Sequence, residues 1–231
     1  MSTPDHQFID AVRAALAAAG DPERARTQQA YMKSATPYHG ITSPQLKSLL
    51  RPILAAYPPP DRGVWQATIR DLWDTASHRE ERYAATAYAR QRAARPWLDP
   101  DELDLLRHLI VTGAWWDHVD EVATHLVRDV LAAHPRATTA VIGDWAHDDD
   151  LWLRRASVIC QIGRGNETDL ALLSATIAAN LDDPSFWLRK AIGWALRDQG
   201  RSRPDWVRAE VERLGDRLSA LSRREALKHL G

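Results

Sequence analysis

A pentapeptide that returns at a fixed distance limits what this chain can fold into more than any other feature. Trp152-Leu153-Arg154-Arg155-Ala156 reappears 35 residues later as Trp187-Leu188-Arg189-Lys190-Ala191, each copy following an acidic stretch. Arg223-Arg224-Glu225-Ala226 continues the series, with Arg224 34 residues after Lys190. Glu81-Arg82-Tyr83-Ala84 places Arg82 73 residues before Arg155, close to two steps, and Trp116 and Asp117 fall near the missing one. Self-similarity at a fixed period means one supersecondary unit stacked on copies of itself, because no single unit can bury its apolar face alone.

The unit is helical. Ala, Leu and Arg dominate, and apolar residues recur at three- and four-residue spacing, as in Leu103, Leu106, Leu109 and Ile110. Pro58 to Pro60, Pro96, Pro100, Pro135, Gly163, Gly165, Pro184 and Pro204 cut the chain into segments suited to helices of about 10 to 18 residues. Ser222 with Glu225 three residues later has the form of a capping box and predicts the start of the last helix. No strand pattern stands out. A period of roughly 35 to 40 residues in an all-helical chain predicts an all-α, HEAT-like helical repeat array, an α-solenoid spanning 1–231 as one domain. The tetratricopeptide consensus is not evident. Stacked helix pairs curve, so one helix of each pair should line a concave groove, with Arg82, Arg155, Lys190 and Arg224 side by side on its inner wall.

Formal net charge is −1 and the pI is near 6.8, a balance that by itself argues mildly against a nucleic-acid partner. The charge is nevertheless segregated. Residues 97–150 carry 12 Asp and Glu against three Arg, whereas residues 184–231 carry 11 Lys and Arg against six acids. Such a chain can present a basic face to phosphate and keep an acidic back in solvent. Cys160 is the only cysteine, which excludes an intramolecular disulfide and a cysteine-built zinc site. The start of the sequence lacks a basic head followed by an apolar region, and no run of about 18 apolar residues occurs, so a cytoplasmic monomer with no membrane span is expected. The nine His residues are scattered without ligand spacing, and no metal or organic cofactor is expected.

Three groups of residues could carry chemistry. Lys190, Trp194 and Arg197 stand at i, i+4 and i+7 and put a cation, an indole and a cation on one helix face, an arrangement suited to a sugar-phosphate backbone. The bland alternative makes Trp194 core and the cations its solvated border. Phe186 and Trp187 add an aromatic edge, or pack against the preceding repeat. In Trp115-Trp116-Asp117-His118-Val119-Asp120, a helix opening after Gly113 would put Trp116 and Asp120 on one face and Asp117 in the first turn, where the helix dipole favours a carboxylate. Paired tryptophans are more often core than ligand, and packing is the competing reading for them. A carboxylate beside an indole in a cationic groove can stabilise an oxocarbenium ion on deoxyribose and position water. Arg155 would hold a flanking phosphate, or else form an inter-repeat ion pair with Asp148, Asp149 or Asp150. His118 reads as a helix residue rather than a general base.

The order Trp115-Trp116-Asp117-x-Val119-Asp120, Trp152-Leu153-x-Arg155-Ala156, Lys190-Ala191-Ile192-Gly193-Trp194-Ala195-Leu196-Arg197 and Ser222-Arg223-Arg224-Glu225-Ala226 resembles the AlkD-type DNA alkylation-repair glycosylase family. Tyr31-Met32-Lys33, Gly40-Ile41 with Pro44, and Arg79 to Ala85 extend the resemblance from about Tyr31 to the end. It implies a monofunctional glycosylase with HEAT-like repeats that hydrolyses the N-glycosidic bond of N7-alkylguanine and N3-alkyladenine in double-stranded DNA during base excision repair. It matches Trp116, Asp120 and Arg155 to a catalytic trio, Trp194 to a further indole at the lesion strand, and Tyr31, Lys33, Lys190 and Arg197 to positions that approach DNA. It also implies that the base, already cationic, need not be flipped into a pocket or protonated. Thr42 and the Gly163-Arg164 pair depart from the family's pattern at strand contacts. A non-catalytic HEAT-repeat module that binds DNA or protein, and a glycosylase for bulky adducts, are the competing readings.

Overall fold

The computed structural model describes residues 2–230. Among them every regular element is helical, and the chain divides into two compact units, Met1–Leu98 and Asp99–Gly231.

The first unit holds α1 (His6–Ala18), α2 (Pro22–Met32), α3 (Ser43–Ala56), α4 (Arg62–Asp74) and α5 (Arg79–Ala89). Helix α1 packs against α3, α4 and α5 around Phe8, Leu16, Trp65, Trp73 and Tyr88, all fully buried. Asp5, Asp21 and Asp61 start α1, α2 and α4 by accepting first-turn N–H groups that would otherwise lack partners. Helix α2 buries Met32 and ends at Lys33 in the left-handed region, at φ 50°. The segment that follows is strapped to α5 by buried Glu80, which accepts the N–H groups of His39, Gly40 and Ile41 at 2.9, 3.0 and 3.1 Å. Gly40, at φ +88°, is required there, because a Cβ would stand 2.1 Å from the Asp21 carbonyl oxygen.

The second unit begins with α6 (Leu103–Gly113). Helix α7 (Trp116–Glu121) continues through a π-helical stretch, Val122–Val127, into α8 (Arg128–Ala133). Then come α9 (Pro135–Trp145), α10 (Leu151–Ile159), α11 (Leu170–Ala179), α12 (Phe186–Gln199), α13 (Pro204–Leu214) and α14 (Ala220–Ala226). Helix α10 pairs with α11 and α12 with α13, while α10, α12 and α14 pack successively on one another. This is the stacking that the 35-residue period predicts. Proline punctuation also falls as expected, with Pro135 and Pro204 in the first turns of α9 and α13, where a missing N–H costs nothing.

The start of the last helix differs from the expectation. Ser219, not Ser222, is the N-cap of α14, and its Oγ accepts the Ser222 N–H. Ser222 instead donates its hydroxyl to the Arg189 carbonyl at 2.8 Å, and Glu225 turns to the cations of α12. A serine three residues upstream outcompetes the capping-box pair because the α12 interface claims both Ser222 and Glu225. Gly193 makes that interface possible: a Cβ at this position would lie 2.6 Å from Glu225 Cβ and 3.0 Å from the Ser222 carbonyl oxygen.

Candidate active site

Asp120, Arg155, Lys190 and Arg224 are each the fifth residue of their helices, α7, α10, α12 and α14. The repeat therefore carries one acid followed by three cations at a single position. Arg82 does not continue this register, and its guanidinium sits over the Trp73 ring in the first unit, 5.0 Å from the centroid.

The acid and the first cation close on each other. Arg155 donates from Nε to Asp120 Oδ1 at 2.7 Å and from Nη2 to Oδ2 at 2.8 Å, while Nη1 donates to the Trp187 carbonyl at 2.6 Å. The Arg155 side chain is 5% exposed and that of Asp120 16% exposed, so the carboxylate edge is the more open part of the pair. Arg155 is an inter-repeat partner, but of Asp120. Asp150 caps α10 and Asp148 pairs with Arg107. Burial pushes the Asp120 carboxyl above its ordinary range; the Arg155 hydrogen bonds and charge oppose this, and the negative charge of Asp117 adds to it.

Three tryptophans cluster at the starts of α7 and α10, which carry this pair, and of α12, whose Trp187 carbonyl Arg155 reaches. Trp115 precedes α7, Trp152 is second in α10 and Trp187 is second in α12. Their ring centroids lie 5.2 Å apart for Trp115 and Trp187, 5.6 Å for Trp152 and Trp187, and 6.0 Å for Trp115 and Trp152. Edge and tilted geometries of this kind suit the aromatic quadrupole. Trp187, expected as a DNA contact or as packing, thus packs on the preceding repeat and supplies its carbonyl to Arg155. Phe186 stands edge-on to Trp187 and is 55% exposed. Trp116 is half-buried, one helical turn before Asp120, with Asp117 in the first turn as expected. His118 is buried.

On α12, Lys190, Trp194 and Arg197 are all half-buried, and both cations pair with Glu225. Tyr31, 78% exposed, and exposed Lys33 belong to the first unit. Sequence reasoning missed the hub role of Trp115 and Trp152 and the clamp formed by Glu225. The 35-residue interval between Asp120 and Arg155 was the available signal for their pairing.

The first unit also gathers His39 with His78 and Glu81, about 40 residues later in the chain, with ligand atoms within 4.8 Å of one another. The two imidazoles stack face to face, with centroids 3.8 Å apart and planes at 16°, so their in-plane lone pairs run side by side instead of converging. Glu81 meanwhile accepts from Arg13 Nε, Ser77 Oγ and the His78 N–H. The cluster reads as a clamp at the start of α5. Among the described residues no helix is long and apolar enough to cross a membrane.

Corresponding helices that stack at a fixed period and set a guanidinium-held carboxylate at one repeat position define an all-α helical-repeat protein of the HEAT-like class. The chain belongs to the DNA alkylation repair enzyme family, whose sequence model matches residues 12–230. It is similar to the solved structure of a predicted DNA alkylation repair enzyme from Enterococcus faecalis, with a TM-score of 0.82 and 26% identity over 92% of this chain and 97% of that one. No curated protein sequence matches it. The family makes DNA the substrate.

Proposed function

We propose that the protein is a monofunctional DNA glycosylase that hydrolyses the N-glycosidic bond of cationic alkylated bases, N7-alkylguanine and N3-alkyladenine, in duplex DNA. The observation that supports this most is the carboxylate of Asp120, buried enough to act in low dielectric, partly open, and held by both oxygens. As the C1′–N bond breaks, its electron pair leaves with the base and neutralises the base's positive charge. Positive charge then develops on the sugar, and a fixed carboxylate interacts with it more strongly than with the ground state. Asp120 also orients the water whose oxygen bonds to C1′ and whose proton passes to solvent. The base leaves neutral, so no general acid is needed.

Trp116, one turn from Asp120, offers an indole face to the cationic base. Arg155 spends Nε, Nη1 and Nη2 on Asp120 and Trp187, so its role is to orient the carboxylate and keep it charged. Lys190, Trp194, Arg197 and Phe186 present cations and aromatic faces to the backbone, and Tyr31 and Lys33 offer exposed contacts from the first unit.

Incubating the protein with duplex DNA containing 7-methylguanine and counting abasic sites tests this directly. Release of 7-methylguanine without release of uracil is expected, because only the former leaves as a neutral base. DNA binding with no abasic sites would leave a non-catalytic binding module instead.

A further inference from the structure

Glu225 holds an unusual position for an acid in a stripe that is to meet phosphate. Its Oε1 lies 3.1 Å from Lys190 Nζ and its Oε2 accepts Arg197 Nη1, so one carboxylate joins both cations of the α12 face. The Glu225 side chain is only 14% exposed, less than either of its partners. The hydrogen bond from Lys190, with the charges of Lys190, Arg197 and Lys228, holds its carboxyl below the usual range against partial burial, so it is ionised at neutral pH. Nor can it swing away cheaply. The absent Cβ of Gly193 lets α14 press directly on α12 at Glu225, and the hydroxyl of Ser222, one turn before it, is tied to the Arg189 carbonyl.

Two cations on one pair of oxygens is the arrangement that a DNA phosphate would make with its two non-bridging oxygens. We infer that Glu225 is a built-in stand-in for a phosphate that weakens the hold of the protein on undamaged DNA. The inference rests on the reading that α12 faces DNA, but not on the chemistry at Asp120. Contacts to phosphate carry no information about damage, since every nucleotide offers the same group. A repair protein gains selectivity when that component is small. Glu225 reduces it in two ways, by engaging donors that phosphate would use and by repelling the phosphate itself. Arg197 and Lys190 keep N–H groups beyond those spent on Glu225, so DNA still binds, with less than the full gain from two cations. A net charge of −1 over the whole chain fits a protein whose phosphate contacts are few and internally balanced.

The test is an anisotropy titration of undamaged duplex at several salt concentrations, comparing the parent protein with Glu225→Gln, which keeps shape and removes charge. The variant should bind about tenfold tighter at moderate salt, and its log K against log[salt] slope should steepen by about 0.9 to 1.8, one to two further counterions. Unchanged or weaker binding would mean that Glu225 merely braces the two cations, and would overturn the inference. A melting transition checks that the variant is folded. Should it fail to fold, Lys190→Gln with Arg197→Gln in the otherwise unaltered chain decides. Together they should flatten the slope by less than about 0.9, since Glu225 already masks part of their charge, and flattening by about 0.9 or more overturns the inference. If the parent binds no duplex even at low salt, the proposed function itself fails. Binding by the parent without tightening in Glu225→Gln sinks this inference alone.

Discussion

Asp120 and Arg155 hold the same place in consecutive repeats, 35 residues apart, and close on each other through two hydrogen bonds of 2.7 and 2.8 Å. An array of this kind brings equivalent positions into neighbouring helices, so an acid at one step and a base at the next become an ion pair without any special loop. The third hydrogen bond of Arg155, to the Trp187 carbonyl, ties the pair to the repeat after that. Three successive repeats thus converge on one carboxylate.

The first prediction concerns pH. Burial raises the Asp120 carboxyl, and Arg155 is the main influence lowering it. The chemistry needs the ionised form, so the single-turnover rate should fall as pH drops through a value above that of an ordinary carboxylate. Arg155→Gln removes the opposing charge and should move this acidic limb upward; a limb that stays in place would show that another group controls it. The same sign governs stability. A folded-state pKa above the unfolded one means that the contribution of this group is fully present below the unfolded pKa and is lost as pH rises through the folded one. Removing one partner of a largely buried pair costs about 3 to 5 kcal/mol, and chemical denaturation should show the larger loss at neutral rather than acidic pH.

Trp187 distinguishes a positioning role from direct DNA contact. Trp187→Ala removes the ring that packs on Trp115 and Trp152 and loosens the segment whose carbonyl holds Arg155. The rate of base release should drop several-fold at saturating protein while the salt dependence of DNA binding stays the same. A loss of affinity with an unchanged saturated rate would make Trp187 a DNA contact and free Arg155 of its dependence on it.

Gly193→Ala tests the close approach of α12 and α14. Helix propensity alone favours alanine by about 1 kcal/mol. The new Cβ would, however, meet Glu225 Cβ at 2.6 Å and the Ser222 carbonyl oxygen at 3.0 Å, and overpacking against a neighbouring helix costs about 1 to 3 kcal/mol. A lowered melting temperature is expected. A raised one would mean that α14 moves aside freely.

Much of this was legible in the sequence, for identifiable reasons. The all-helical class and the stacking of α10, α12 and α14 follow from the period and from proline punctuation, both local signals. Trp116, Asp117 and Asp120 fall where helical spacing places them, because Gly113 and Trp115 leave little choice of where α7 begins. The sequence offers Arg155 a phosphate or, by proximity, an ion pair with Asp148, Asp149 or Asp150, yet Asp150 is drawn off to cap α10 and Asp148 to Arg107. Arg155 then takes the acid one repeat away. Glu225 escaped for the opposite reason: its spacing from Ser222 satisfied a local rule that the α12 interface overrides. His78 and Glu81 meet as the capping pair that opens α5, and His39, distant in sequence, joins them because Glu80 pins its backbone to α5.

The last prediction assigns the chemical step. Asp120 and Asp117 lie on one short helix, but Asp117 sits in its first turn, where the dipole stabilises a carboxylate, while Asp120 is the one gripped by Arg155. Asp120→Asn keeps size and polarity and removes the charge that the oxocarbenium ion needs. Losing one preorganised electrostatic partner costs about 3 kcal/mol at the transition state, so single-turnover release of 7-methylguanine should slow by roughly a hundredfold. Affinity for DNA should hold or rise, since a negative charge leaves a site lined by cations. Asp117→Asn should instead lower stability by about 0.3 to 1 kcal/mol and leave the rate within a few-fold of the parent. A folded Asp120→Asn protein with full activity, beside an inactive but folded Asp117→Asn protein, would transfer the chemistry to Asp117. Arg155 would then be left holding a purely structural acid.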